Sequence, residues 1–127
     1  MPFVRCPLPA DAQAALDRVV QVQGDALFLF FGSEDPVTGA SWCPDCVTAD
    51  PVLRATINAT APGLAVHECP VGLRSAWKGN MAHPYRVHPA FHLARIPTLI
   101  RFQRGLDIGR LVEASCADPV AVRAFLG

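Results

Sequence analysis

From Ala10 to Gln23 the apolar residues Ala14, Leu16, Val19 and Val20 recur near a helical repeat, with Asp11 early and Gly24 behind them, and predict a helix. Leu27 to Phe31 is apolar at every position, the pattern of a strand covered on both faces, and predicts the centre of a helix-flanked sheet. GSEDPVTGAS follows, a run of turn-forming residues that reads as a loop carrying the chain to Trp42 and Cys43. From Cys43 to about Ala59, Val47, Val52, Leu53 and Ile57 can share one helical face, although Pro51 removes a backbone hydrogen bond and should bend that helix.

The second half is more broken. Leu64 to Glu68 predicts a short strand, and Gly72 to Leu93 mixes glycine, asparagine, Pro84 and Pro89 with scattered apolar residues, as a loop with an irregular helix would. Thr98 to Phe102 predicts a strand, RGLD a turn, Ile108 to Val112 its hairpin partner, and Pro119 to Leu126 a closing helix. Phe3 and Val4 open the chain as strand or coil. An alternating first half with a terminal hairpin and helix predicts an α/β fold, a central mixed sheet flanked by helices. Residues 1–127 fit one domain.

Composition narrows the function classes. With 51% hydrophobic and 17% charged residues the chain is expected to fold alone. Eleven basic and eleven acidic side chains cancel, and no run of Lys or Arg is suited to a phosphate backbone or an anionic membrane. Nucleic acid and membrane are therefore not expected as partners, and a monomer is. The longest apolar block is far too short to cross a bilayer, and the N-terminus lacks an uninterrupted apolar export segment, so a cytoplasmic protein is expected. The cysteines form an odd set, Cys6, Cys43, Cys46, Cys69 and Cys116, which in a reducing compartment stay free thiols.

Chemistry concentrates at SWCPDC. On a helix N-terminus the first thiol of Cys-x-x-Cys meets unpaired backbone N–H groups and the positive end of the helix dipole, which favour its thiolate and make Cys43 the nucleophile. Cys46, about one turn on and less exposed, is placed to resolve a mixed disulfide. Pro44 suits the first helical turn. The Asp45 carboxylate acts in two directions, stabilising the helix start and opposing a nearby thiolate. Trp42 would shield one side and offer an apolar contact. Zinc is the competing reading of such a pair, but structural zinc normally takes four ligands, and here one pair stands with isolated Cys69, Cys116 and four histidines. Two unremarkable thiols at a helix start are the plainest alternative.

WCxxC with a proline at position 51, together with Pro97 in RIPTLIRF, resembles the thioredoxin fold, in which that second proline is cis and faces the cysteine pair. SWCPDCVTADPV, the stretch with Val71, Gly72, Trp77 and Lys78, Tyr85–Arg86, IPTL and LVEASC resemble more narrowly the Clot-type thioredoxin-related cytosolic proteins, over nearly the whole chain. The resemblance implies a protein-disulfide reductase, a thiol-disulfide oxidoreductase with no bound cofactor. Cys43 attacks, Cys46 resolves, and electrons arrive from NADPH through thioredoxin reductase. The implied substrates are cystine and selected protein disulfides. It also implies that the Ile96 backbone pairs with substrate and that Thr98 flanks the site. A redox-sensing interaction module without efficient turnover is the alternative.

The chain departs from ordinary thioredoxins in two ways. The strand LFLFF carries no buried aspartate to accept a proton from Cys46, and GSEDPVTGAS is a longer loop that should reshape the substrate surface. Cys69 and Cys116 are expected in the core as small hydrophobes, Trp77 as a packing anchor, and the histidines of the proline-broken segment as solvated.

Overall fold

The computed structural model describes residues 3–127. One five-stranded sheet has the order β1-β3-β2-β4-β5, from β1 (Phe3–Arg5), β2 (Ala26–Phe31), β3 (Ala65–Pro70), β4 (Thr98–Gln103) and β5 (Leu106–Val112). β1, β3 and β2 run parallel, while β4 lies antiparallel to β2 and forms a hairpin with β5. The sheet is therefore mixed, with the fully apolar strand β2 at its centre.

Period-two alternation in β2 splits the core in two, because successive side chains leave opposite faces of a strand. Ala26, Phe28 and Phe30 join Leu16 and Val19 of helix α1 (Pro9–Gln21) on one face. Leu27 and Leu29 join Leu53 and Ile57 of α2 (Pro44–Thr60) and Val122 and Leu126 of α5 (Pro119–Leu126) on the other. Both faces need apolar side chains, which is why ALFLFF has no polar position.

Between β3 and β4 the chain forms only two short helices, α3 (Arg74–Trp77) and α4 (Pro84–Val87), each ended within four residues. They are held by an aromatic cluster. Phe30 meets Tyr85 at 5.0 Å and Phe91 at 4.9 Å between ring centroids, both edge-on, the arrangement ring quadrupoles favour.

The sequence leaves the opening residues as strand or coil and marks no element between β5 and the last helix. The opening residues form a true strand, β1, whose partner is β3 rather than a sequence neighbour, and such distant pairing leaves no local signature. After β5 the chain makes a 3₁₀ helix, Glu113–Ala117, entered through Glu113 at φ 53°.

His83 corrects the expectation of solvated histidines. It is buried, its Nε2 lies 2.7 Å from the Val71 carbonyl, and its Nδ1 accepts the Tyr85 N–H at 3.0 Å as the cap of α4. His88 is half-buried against Gln13, and His92 alone of the three is exposed. Cys69, Cys116 and Trp77 lie in the core.

Candidate active site

Pro44 opens α2 because its missing N–H falls where a helix has no partner to offer, and Cys43 before it caps the helix in extended backbone. The Cys43 sulfur accepts the Cys46 N–H at 3.3 Å, and the Cys43 carbonyl accepts the Val47 N–H at 3.1 Å. The nucleophilic sulfur is thus held by the backbone of the residue that would resolve it.

Both sulfurs lie deeper than an exposed nucleophile would. Cys43 is 5% and Cys46 4% exposed, which corrects the expectation of an open first thiol. The cover comes from the strand-to-helix loop. Trp42 donates its indole N–H to the Gly72 carbonyl at 2.8 Å, and Ser41 donates its hydroxyl to the Gly32 carbonyl at 2.6 Å while accepting the Cys43 N–H at 3.2 Å. Burial, then the hydrogen bond the Cys46 thiol gives to Cys43, push the Cys46 thiol up, and the Gly32 backbone acts the other way. Cys46 is thereby kept protonated while Cys43 is free.

Gly32 leaves room for this packing. A Cβ built there would stand 2.8 Å from Trp42 Cε2 and 3.0 Å from Cys43 Cβ. Gly32→Ala is expected to displace the indole and lower kcat/KM about tenfold, at a stability cost of about 1–3 kcal/mol typical of overpacking. Tryptophan fluorescence together with a reductase assay checks it, and unchanged values in both would remove Gly32 from the site.

The loop 33–41 is built from its own hydrogen bonds. Asp35 Oδ1 accepts the N–H groups of Val37 at 2.7 Å and Thr38 at 3.3 Å, the Asp35 N–H donates to Ala40 at 2.8 Å, and Glu34 bridges Ser41. It walls a cavity of about 220 Å³ on the Cys46 side, shared with Asp50, Arg54 and Pro97. The carboxylates absent from β2 thus reach the Cys46 side from Glu34 and Asp50. Asp50 was findable in the sequence, since it stands four residues after Cys46 and so one turn away on the same helix. Arg54 pairs with Asp50 at 3.1 Å and with the largely buried Glu68 of β3.

On the Cys43 side a groove of about 310 Å³ is lined by Trp42, Pro44 and Asp45 and faced by Ile96, with Arg74, Trp77, Lys78, Arg86 and Arg95 opposite. Arg86 stacks over Trp77 at 3.6 Å and donates to the Ala94 and Trp77 carbonyls, and Arg95 pairs with Glu113 at 2.8 Å. Among the described residues Arg74 and Lys78 form no ion pair, which leaves them available to an anionic group. These basic residues were missed in the sequence, because they come from separate turns and form no run.

The Ile96–Pro97 peptide is cis. The Pro97 carbonyl accepts the Glu113 N–H at 2.8 Å and the Cys116 thiol at 3.8 Å, with burial pushing that thiol up to about 12. Ile96 lies on the groove and Pro97 on the cavity at Cys46, so they border the pair from both sides. Thr98 does not reach the surface. It is 1% exposed and its hydroxyl donates to the Arg95 carbonyl at 2.6 Å, fixing the turn into β4. Among the described residues no group of three His, Cys, Asp or Glu gathers as metal ligands would.

Comparison with known proteins agrees with this geometry. Residues 10–127 match the thioredoxin domain of the thioredoxin domain-containing protein 17-like family. The chain is 36% identical over 122 residues to the thioredoxin-like protein Clot of Oryza sativa, covering 87% of each chain. It is 32% identical over 98 residues to human thioredoxin domain-containing protein 17, covering 77% of this chain and 75% of that one. Oxidised thioredoxin O2 of Arabidopsis thaliana superposes with a TM-score of 0.69 at 18% identity, over 98% of this chain and 91% of that one, and shares the fold.

Proposed function

Because the chain belongs to the thioredoxin domain-containing protein 17-like family, a family of thiol-disulfide redox proteins, we propose that Cys43 and Cys46 reduce cystine-like small disulfides and selected protein disulfides. The observation that carries the reading is the N-cap geometry of Cys43 at the mouth of the basic groove. Cys43 attacks one substrate sulfur, a Cys43–substrate disulfide forms, and the departing thiolate takes up a proton. Cys46 then attacks Cys43, a Cys43–Cys46 disulfide forms, and the second thiolate leaves. Two electrons have passed to the substrate.

The order of steps follows from what holds the Cys46 proton. Burial acts throughout, but the hydrogen bond Cys46 gives to Cys43 and the charge on Cys43 act only while Cys43 is free. Once Cys43 is bound to substrate both vanish, and Cys46 ionises more readily when it is needed.

Arg74 and Lys78 favour substrates with carboxylates beside the disulfide, as cystine has. Thioredoxin reductase would return the electrons from NADPH in the cytoplasm, with the protein acting as a monomer without a bound cofactor. The test is NADPH consumption with thioredoxin reductase, comparing cystine with insulin. Cystine turned over at least about tenfold faster in kcat/KM, with a preference that weakens at high salt, is the expected outcome. A pair that is reduced once but turns over neither substrate would make this a redox-sensing interaction module instead.

A further inference from the structure

A second cysteine pair lies on the α1 face of the sheet. The Cys6 N–H donates to the Glu68 carbonyl at 2.8 Å, which carries the parallel register Arg5↔Glu68 one residue further and sets Cys6 beside Cys69. Both side chains sit in one buried cluster, where the Cys69 thiol donates to the His67 carbonyl at 3.6 Å. Adjacent strands lie roughly 4.7–4.9 Å apart, within the roughly 4.4–6.8 Å between Cα atoms that a disulfide spans, so the backbone need not move to join them.

The two sulfurs differ in access. Cys69 is fully buried, whereas Cys6, at 4% exposure, borders an open surface groove with Val4, Asp11, Ala14 and His67. Their acidities differ in the same sense. The neighbouring Cys69 thiol lowers the Cys6 thiol, while Cys6 and burial push Cys69 up.

We propose that Cys6 and Cys69 are a second redox dithiol, which hydrogen peroxide converts into an intramolecular disulfide between β1 and β3. The Cys6 thiolate attacks one peroxide oxygen, the O–O bond breaks, hydroxide leaves, and Cys6 becomes a sulfenic acid. The Cys69 sulfur then displaces that oxygen, the S–S bond forms, and water leaves with the Cys69 proton. Peroxide takes two electrons and the pair supplies them. Cys6 is the peroxidatic sulfur because it borders the groove, and Cys69 resolves from beneath.

The test uses the full chain as Cys43→Ser/Cys46→Ser, which removes the catalytic dithiol, and in parallel the parent protein. Each is treated with millimolar peroxide, alkylated under denaturing conditions and mapped by tryptic mass spectrometry without reductant. The expected result in both is the peptide beginning at Cys6 joined to the one carrying Cys69, and released by dithiothreitol. Recovery of both residues alkylated, Cys6 carried on to sulfinic acid with Cys69 free, or Cys69 joined to Cys116 would each overturn the proposal.

Discussion

Cys43→Ser is expected to lower the turnover of any disulfide substrate by at least about 10³-fold, because a hydroxyl at a helix start is far less ionised and less nucleophilic than a thiol. Cys46→Ser should behave differently. The attack by Cys43 survives, the product is not released, and a Cys43–substrate disulfide accumulates. Mass spectrometry of both variants after a single exposure to substrate separates the roles: an adduct on Cys46→Ser and none on Cys43→Ser. Adducts on both would mean that the sulfurs are interchangeable. The N-cap placement of Cys43 and the raised Cys46 thiol argue against that outcome.

Phe30→Ala is expected to cost about 3–5 kcal/mol of unfolding free energy, a large part of the roughly 5–15 kcal/mol that stabilises a domain. Phe30 is fully buried and stands between Tyr85 and Phe91, so its removal opens a cavity beneath the segment that carries α3 and α4. Denaturant unfolding should show a lower midpoint with an unchanged slope. A loss below about 1 kcal/mol would show that Tyr85 and Phe91 close over the gap. Because α3 brings Arg74 and Trp77 to the groove, KM for an anionic disulfide should rise as well.

The fold was legible in the sequence wherever one segment's own pattern decides its shape. ALFLFF is apolar on both faces because both faces are buried, and SWCPDC announces a helix start through Pro44 as well as its chemistry. The broken segment between β3 and β4 was legible only as broken. Its order comes from Tyr85, Phe91 and His83 packing on distant residues, and buried histidines look like solvated ones until their partners are known. The site divides in the same way. Cys43, Cys46 and Trp42 are contiguous and were readable, whereas Arg74, Lys78, Arg95 and Glu34 converge only through folding. Thr98, which the resemblance places beside the site, turns its hydroxyl inward to the Arg95 carbonyl, and nothing in the sequence marks which way that side chain points.

The self-bonded loop 33–41 bears on how substrates are chosen. A flexible wall would have to be ordered on each encounter, and a poor ligand could recover that entropy by leaving it loose. Here Asp35 and Thr38 already hold the turn, and Glu34 and Ser41 close its base. Less freedom is then lost on contact than a loop without these bonds would lose, so a disulfide whose flanks collide with the loop is disfavoured on approach. Discrimination against bulky substrates should therefore register in the association rate, with the chemistry of those that do enter left unchanged.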